Sequence, residues 1–200
     1  MKIGVFGGTF DPVHNGHLMM AEEARVQLDL ARVLFVPAGQ PWLKEDRDIT
    51  PAEHRVRMVR LAIADNPYFS LSRLEVDREG PSYTVDTIAG LKAQGKDDDE
   101  LFFILGWDSL NDLPRWREPE RLVTLCRLVA IPRPGCQPPD LEALSAVIPG
   151  LAQRVILLDK PVVDISASDI RRRVAGGEPI DNLVPAPVAE YIKANRLYLP

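Results

Sequence analysis

Five short apolar runs punctuate the chain, at residues 2–6, 33–36, 101–105, 128–131 and 155–158. Each is continuous rather than alternating, the pattern of strands covered on both faces. Breakers close the first four: Gly7-Gly8, Pro37, Gly106 and Pro132. Between the first two runs, Leu18, Ala21, Ala24, Val26 and Leu28 recur at helical spacing. Thr50-Pro51-Ala52-Glu53 predicts a helix start, with Thr50 as cap, Pro51 in the first turn and Glu53 closing a capping box. That helix is expected to run to about Ala64, before Asn66-Pro67, and residues 69–76 to be extended. Ser82-Tyr83-Thr84 opens another helix that ends near Gly95, and two more are expected over 167–175 and 188–194. Residues 96–100 read as a solvated turn, and the proline-rich stretch 133–140 as a loop. No internal repeat is present. Strands alternating with helices predict an open parallel α/β sheet with helices on both faces. We expect a single domain over 1–200, its C-terminal part (roughly 165–200) a small helical appendage.

Composition narrows the function classes. The 200 residues are 46% apolar and 26% charged, enough to bury a core. A net charge of −5 argues against broad, sequence-independent nucleic-acid binding. No run of 18 apolar residues suggests a membrane span. The chain opens directly on a strand-like run, and its two cysteines, Cys126 and Cys136, make neither a disulfide framework nor a metal clip. A cytoplasmic location is the expectation. Only three histidines occur, and two of them, His14 and His17, follow the first glycine-rich turn.

That turn reads G-G-T-F-D-P-V-H-N-G-H. In an open α/β sheet, ligands bind outside the carboxyl ends of the strands, where this loop belongs. Gly7 and Gly8 let backbone N–H groups approach an anion, and a helix starting near Asn15 offers its N-terminus to phosphate. The glycine spacing is not that of a dinucleotide fingerprint, and no acidic residue follows the second strand. Gly95-Lys96 is followed by Asp97, so a Walker-type loop also fails. His14 and His17 share one helix face, and Gly16 between them leaves room for a base or sugar. Zinc would need further ligands, and besides carboxylates only His54 and two distant cysteines are on offer. Near the C-terminus, Ser166 is placed to cap a helix with Asp169 completing a capping box; Ser168 and Arg171-Arg172-Arg173 complete a candidate anion site.

The segment G-T-F-D-P-V-H-N-G-H resembles the signature of the HxGH nucleotidyltransferase superfamily, and I-S-A-S-D-I-R at 165–171 resembles its second motif, with Ala167 where serine is common. Three more segments resemble bacterial nicotinate-nucleotide adenylyltransferases: P-A-G-Q-P-W-L-K at 37–44, P-S-Y-T-V-D-T at 81–87, and G-W-D-S-L at 106–110 continuing to L-P-R-W at 113–116. The first departs from the usual P-P-H-K, with Leu43 in place of the histidine. The resemblance implies a Rossmann-like sheet and adenylyl transfer from ATP to nicotinate mononucleotide, with direct attack and no covalent intermediate. It implies that His14, His17, Lys44 and Arg171 are catalytic, the histidines binding α- and β-phosphate oxygens. ATP would be held by Gly7, Gly8, Thr9, Phe10, Gly16, Gly106, Asp108, Arg133, Ser166 and Ser168; Asp108 would touch the ribose or a metal, and Arg133 the adenine side. Backbone N–H groups at Tyr83 and Thr84 suit a nicotinate carboxylate, and Trp116 would stack on the pyridine ring, with core packing as its other reading. Mg²⁺ would arrive with ATP, and no metal site is assigned to the protein itself. Nucleic acid and membranes are not expected as partners, and homo-oligomerisation is left open. Two other readings stand beside this one: an HxGH enzyme with nicotinamide mononucleotide, phosphopantetheine or a sugar or polyol phosphate as acceptor, and a non-catalytic nucleotide-sensing module.

Overall fold

The computed structural model describes residues 1–41, 49–161 and 163–199. Six strands form one sheet: β1 (Lys2–Gly8), β2 (Arg32–Pro37), β3 (Phe69–Leu71), β4 (Glu100–Gly106), β5 (Arg127–Ile131) and β6 (Val155–Leu157). Their order is β3-β2-β1-β4-β5-β6, and every pairing is parallel. The chain therefore reverses direction across the sheet between β1 and β4, which opens a crevice at their carboxyl ends.

The continuous apolar runs work as strands because each pleat sends neighbours to opposite faces, and both faces are covered. On β4, Phe102 and Ile104 join one core, while Leu101, Phe103 and Leu105 join the other. The first core is closed by α1 (Asn15–Leu28), α2 (Ala52–Ala62), α7 (Ala167–Ala175) and α8 (Ala186–Ala194), through residues such as Ala21, Met58, Ile170 and Val188. The second is closed by α3 (Thr84–Gln94), α4 (Trp107–Asn111), α5 (Pro119–Leu125) and α6 (Leu141–Val147), through Ile88, Leu110, Leu122 and Leu144. The C-terminal helices thus share a core with the sheet.

Several expectations need correction. Thr50 does not cap α2: the N-cap is Pro51, the Thr50 N–H donates to Asp11 Oδ2 at 3.2 Å, and Glu53 turns outward to bind Arg73 at 2.6 Å. Only Phe69–Leu71 of the extended stretch pairs into the sheet. The short helices α4, α5 and α6 had no counterpart in the apolar pattern, since one to two turns are too few to show a 3.6-residue period.

Candidate functional site

A cleft of about 660 Å³ opens at the carboxyl ends of β1, β4 and β5. It is lined by the loop after β1, the starts of α1, α3, α4 and α7, and the turn holding Trp116. Among the described residues, every one assigned above to catalysis or to binding ATP or the acceptor reaches it: Gly7, Gly8, Thr9, Phe10, His14, Gly16 and His17 from the first loop; Tyr83 and Thr84; Gly106 and Asp108; Trp116; Arg133; and Ser166, Ser168 and Arg171. Lys44, with Trp42 and Leu43, lies outside the described residues.

The first loop is tightly held. Phe10 adopts φ +50°, a left-handed conformation that costs a bulky residue about 1–3 kcal/mol. Its ring is buried edge-on against Phe6 at 5.7 Å and against the His17 imidazole at 5.0 Å. The face of Gly8 is closed by this ring, which a Cβ there would meet at 3.0 Å. Gly16 does not leave the space that the sequence suggested. A Cβ at that position would lie 2.9 Å from Val163 Cγ1 and 3.0 Å from His14 Nδ1, so the glycine admits protein rather than a base or sugar.

The two imidazoles stack, with centroids 3.6 Å apart and planes 22° from parallel. The His14 N–H donates to His17 Nδ1 at 3.2 Å. A neutral His17 whose Nδ1 accepts must carry its proton on Nε2. Burial, with help from the positive charge of Arg133, pushes the His14 pKa down to about 4, so His14 is neutral at pH 7. His14 is 6% exposed, and its Nδ1 is buried with no hydrogen-bond partner among the described residues. The helix start beneath contributes less backbone than expected. The Asn15 N–H is taken by the Leu183 carbonyl and the His17 N–H by the His14 carbonyl, both at 2.9 Å.

Across the cleft, Ser166 caps α7 by accepting from the Asp169 N–H at 3.1 Å. The expected reciprocal half of the capping box is not made. The Asp169 carboxylate instead binds Arg172 and Arg173, which hold it below the usual carboxylate range. Of the three arginines only Arg171 lines the cleft. Its Nη1 donates to the Asp11 carbonyl at 2.6 Å and its Nη2 to Ser168 Oγ at 3.3 Å, tying the last motif to the first. The N–H groups of this first helical turn have no carbonyl within the helix to bind.

Asp108 opens α4 and accepts from Arg133 Nη1 at 2.6 Å, so the two form one ion pair on the cleft wall. Trp116 packs edge-on against Phe103 at 6.0 Å, as its core reading has it, and also lines the cleft. Tyr83 lies under the Arg117 guanidinium, 4.7 Å from ring centre to Cζ.

Sequence reasoning missed two buried charges beside the cleft, Arg55 (1% exposed) and Glu75 (7% exposed). Each sits in a helix-like or extended stretch that looks surface-exposed, and no local pattern marks a charge as buried. Among the described residues no three His, Cys, Asp or Glu side chains converge as a metal site. Mg²⁺ is commonly held by substrate phosphates and one or two carboxylates, and Asp108 is a cleft carboxylate that suits this. Neither cysteine lines the cleft, and burial pushes the Cys126 thiol up to about 12.

The chain matches the cytidylyltransferase-like family model over residues 5–173. It is 51% identical over 198 residues to a probable nicotinate-nucleotide adenylyltransferase of Dehalococcoides mccartyi, covering 99% of this chain and 97% of that one. It is 52% identical to the protein of the same description from Roseiflexus sp., covering 98% and 97%. In fold it is similar to the Plasmodium falciparum nicotinic acid mononucleotide adenylyltransferase solved with NaAD, with a TM-score of 0.81 at 22% identity over 98% of this chain and 97% of that one.

Proposed function

Because the chain belongs to the nicotinate-nucleotide adenylyltransferase family, within the cytidylyltransferase-like proteins, we propose that it joins ATP and nicotinate mononucleotide to give deamido-NAD and pyrophosphate. The observation that carries this reading is convergence. A histidine pair, the first turn of α7 and the Tyr83–Thr84–Trp116 group meet in one cleft, although they come from residues far apart in the chain.

A phosphate monoester with a second pKa near 6 is mostly dianionic at neutral pH, so the acceptor oxygen needs no general base. It attacks the α-phosphorus of ATP. The bond to the α–β bridging oxygen breaks, and the electron pair leaves with pyrophosphate. What the protein must supply is position and charge stabilisation. His17, with its proton on Nε2, donates to an oxygen on the α- or β-phosphate. His14, neutral and desolvated, stacks on it and fixes its plane. Arg171 and the first turn of α7, with Ser166 and Ser168, hold the β- and γ-phosphates. The backbone of Gly7, Gly8, Thr9 and Phe10 and the wall at Gly106 seat the nucleotide, with Asp108 and Arg133 orienting each other toward the ribose and adenine. Mg²⁺ bound with ATP would neutralise phosphate charge, and Asp108 would be the cleft carboxylate to hold it if it turns from the ribose. Lys44 would add a further cation. At the other end Trp116 stacks on the pyridine ring, and N–H groups at Tyr83 and Thr84 bind the nicotinate carboxylate. We further infer that 1–200 works as one domain, since α7 and α8 build the same core as the sheet, and that it works in the cytoplasm, where ATP and the acceptor are available.

Incubation with ATP, Mg²⁺ and each acceptor in turn, following pyrophosphate, tests the reading. Nicotinate mononucleotide is expected to exceed nicotinamide mononucleotide by about 100-fold or more in kcat/KM, because an amide offers donors built for a carboxylate one acceptor and one mismatched donor. Equal constants, or turnover only with phosphopantetheine, would overturn it.

A further inference from the structure

The acceptor end of the cleft rests on a loop caught between two buried charges. Residues 38–41 follow β2. On one side, Arg55 of α2 donates from Nη1 to the carbonyls of Ala38 (2.7 Å) and Thr9 (2.8 Å), and from Nη2 to that of Gly39 (3.2 Å). On the other side, Glu75 accepts at 2.6 Å from Thr87 Oγ1, on the helix that Ser82 leads into. Ser82 Oγ in turn accepts from the N–H groups of Gly39 (2.9 Å) and Gln40 (3.2 Å), and the Ser82 N–H donates to the Gln40 carbonyl at 2.8 Å. The packing allows no slack, since a Cβ on Gly39 would overlap the Glu75 carbonyl oxygen.

A hydroxyl has one proton and two lone pairs. Ser82 Oγ aims its lone pairs at the 38–41 loop. Thr87 sits one turn into α3 and gives its proton to the Glu75 carboxylate. The next residues after Ser82 are Tyr83 and Thr84, on the cleft wall. An ionised carboxylate accepts only, so it fixes the direction of the Thr87 hydroxyl, whereas an amide at this position offers one acceptor and one mismatched donor. Burying a carboxylate is costly and an apolar side chain of similar volume would often fold as well; the presence of a charge here therefore needs a purpose other than core stability.

We propose that Glu75 is a positioning residue for the acceptor: by taking the proton of Thr87 it anchors the first turns of α3, whose lead-in residue Ser82 is bonded to the 38–41 loop, and so sets where the Tyr83 and Thr84 N–H groups meet the acceptor's carboxylate. This rests on the reading of that cleft end as the acceptor's site. Glu75 itself contacts neither substrate, and acts through the Thr87 hydroxyl.

The test is steady-state kinetics with nicotinate mononucleotide and ATP varied separately, on wild type, Glu75→Gln, Thr87→Val and Thr87→Ser, with thermal unfolding of each. Glu75→Gln and Thr87→Val are expected to raise the KM for the acceptor about tenfold and to leave the KM for ATP within about twofold, the size of one lost charge-assisted hydrogen bond. Thr87→Ser, which keeps the hydroxyl, is expected to recover most of the acceptor KM. Both KM values rising together, or neither moving, overturns the role of Glu75. Should Glu75→Gln not fold, the isosteric Thr87→Val against Thr87→Ser decides the matter alone. Wild type releasing no pyrophosphate with nicotinate mononucleotide would sink the functional reading instead, a result distinct from wild-type turnover with unmoved variants.

Discussion

His17 shows how one hydrogen bond assigns a chemical role. By accepting from the His14 N–H, its Nδ1 leaves Nε2 as the donor. His17→Ala is expected to lower kcat by about 10²–10³, the usual loss for a preorganised donor to developing charge, with an unfolding temperature close to that of wild type; near wild-type turnover would remove His17 from the mechanism. His14 makes a prediction of another kind. Its folded pKa is about 4, below the ordinary value of 6.5. Between those values the unfolded chain binds a proton that the native state refuses, so stability is present in full above pH 6.5 and falls as pH drops toward 4. Denaturant unfolding at pH 7 and pH 4.5 is expected to show wild type losing about 2–3 kcal/mol more than His14→Asn from this residue. An equal acid loss in both proteins would contradict a neutral, desolvated ring.

Among the elements, the strands were the most legible. Runs at 101–105 and 128–131 extend by only one residue or two in the structure, because a strand buried on both faces writes its length directly as apolar residues. Ala167–Ala175 appears with its Ser166 cap, a local interaction between neighbours in sequence. Caps that lose to a competing ion pair were not legible: Glu53 is drawn to the distant Arg73, and Asp169 to Arg172 and Arg173 one turn on, so neither closes its expected box. The same competition sorts the arginines of α7. Arg172 and Arg173 are occupied by Asp169 and Glu178, leaving Arg171 to face the cleft. Arg171→Met, which keeps the length and removes the charge, is expected to raise the KM for ATP about tenfold or more, while Arg172→Met changes it less than twofold. Equal effects would mean that the cluster acts as a diffuse field rather than through one side chain.

At the scale of the whole molecule, the cleft exists because the sheet order reverses between β1 and β4, and because two buried networks draw remote segments onto that edge. Arg171 and Tyr198 both reach the first loop at Asp11, the tyrosine hydroxyl donating to Asp11 Oδ1 at 2.7 Å. Arg55 and Ser82 hold the loop after β2 from either side. An overall charge of −5 is compatible with the proposed polyanion site, because Arg115, Arg117, Arg133 and Arg171 are gathered at one cleft. The sequence by itself determined the parallel α/β class, the position of the strands, the motif residues and the family they resemble, since each of these is written in short-range pattern. Only the tertiary structure decided that Gly16 makes room for Val163 and His14, that His14 is neutral, that one arginine of three faces the cleft, and that Arg55 and Glu75 are buried. Burial and partner choice depend on what folds against a residue from elsewhere in the chain, and local sequence carries no record of that neighbour.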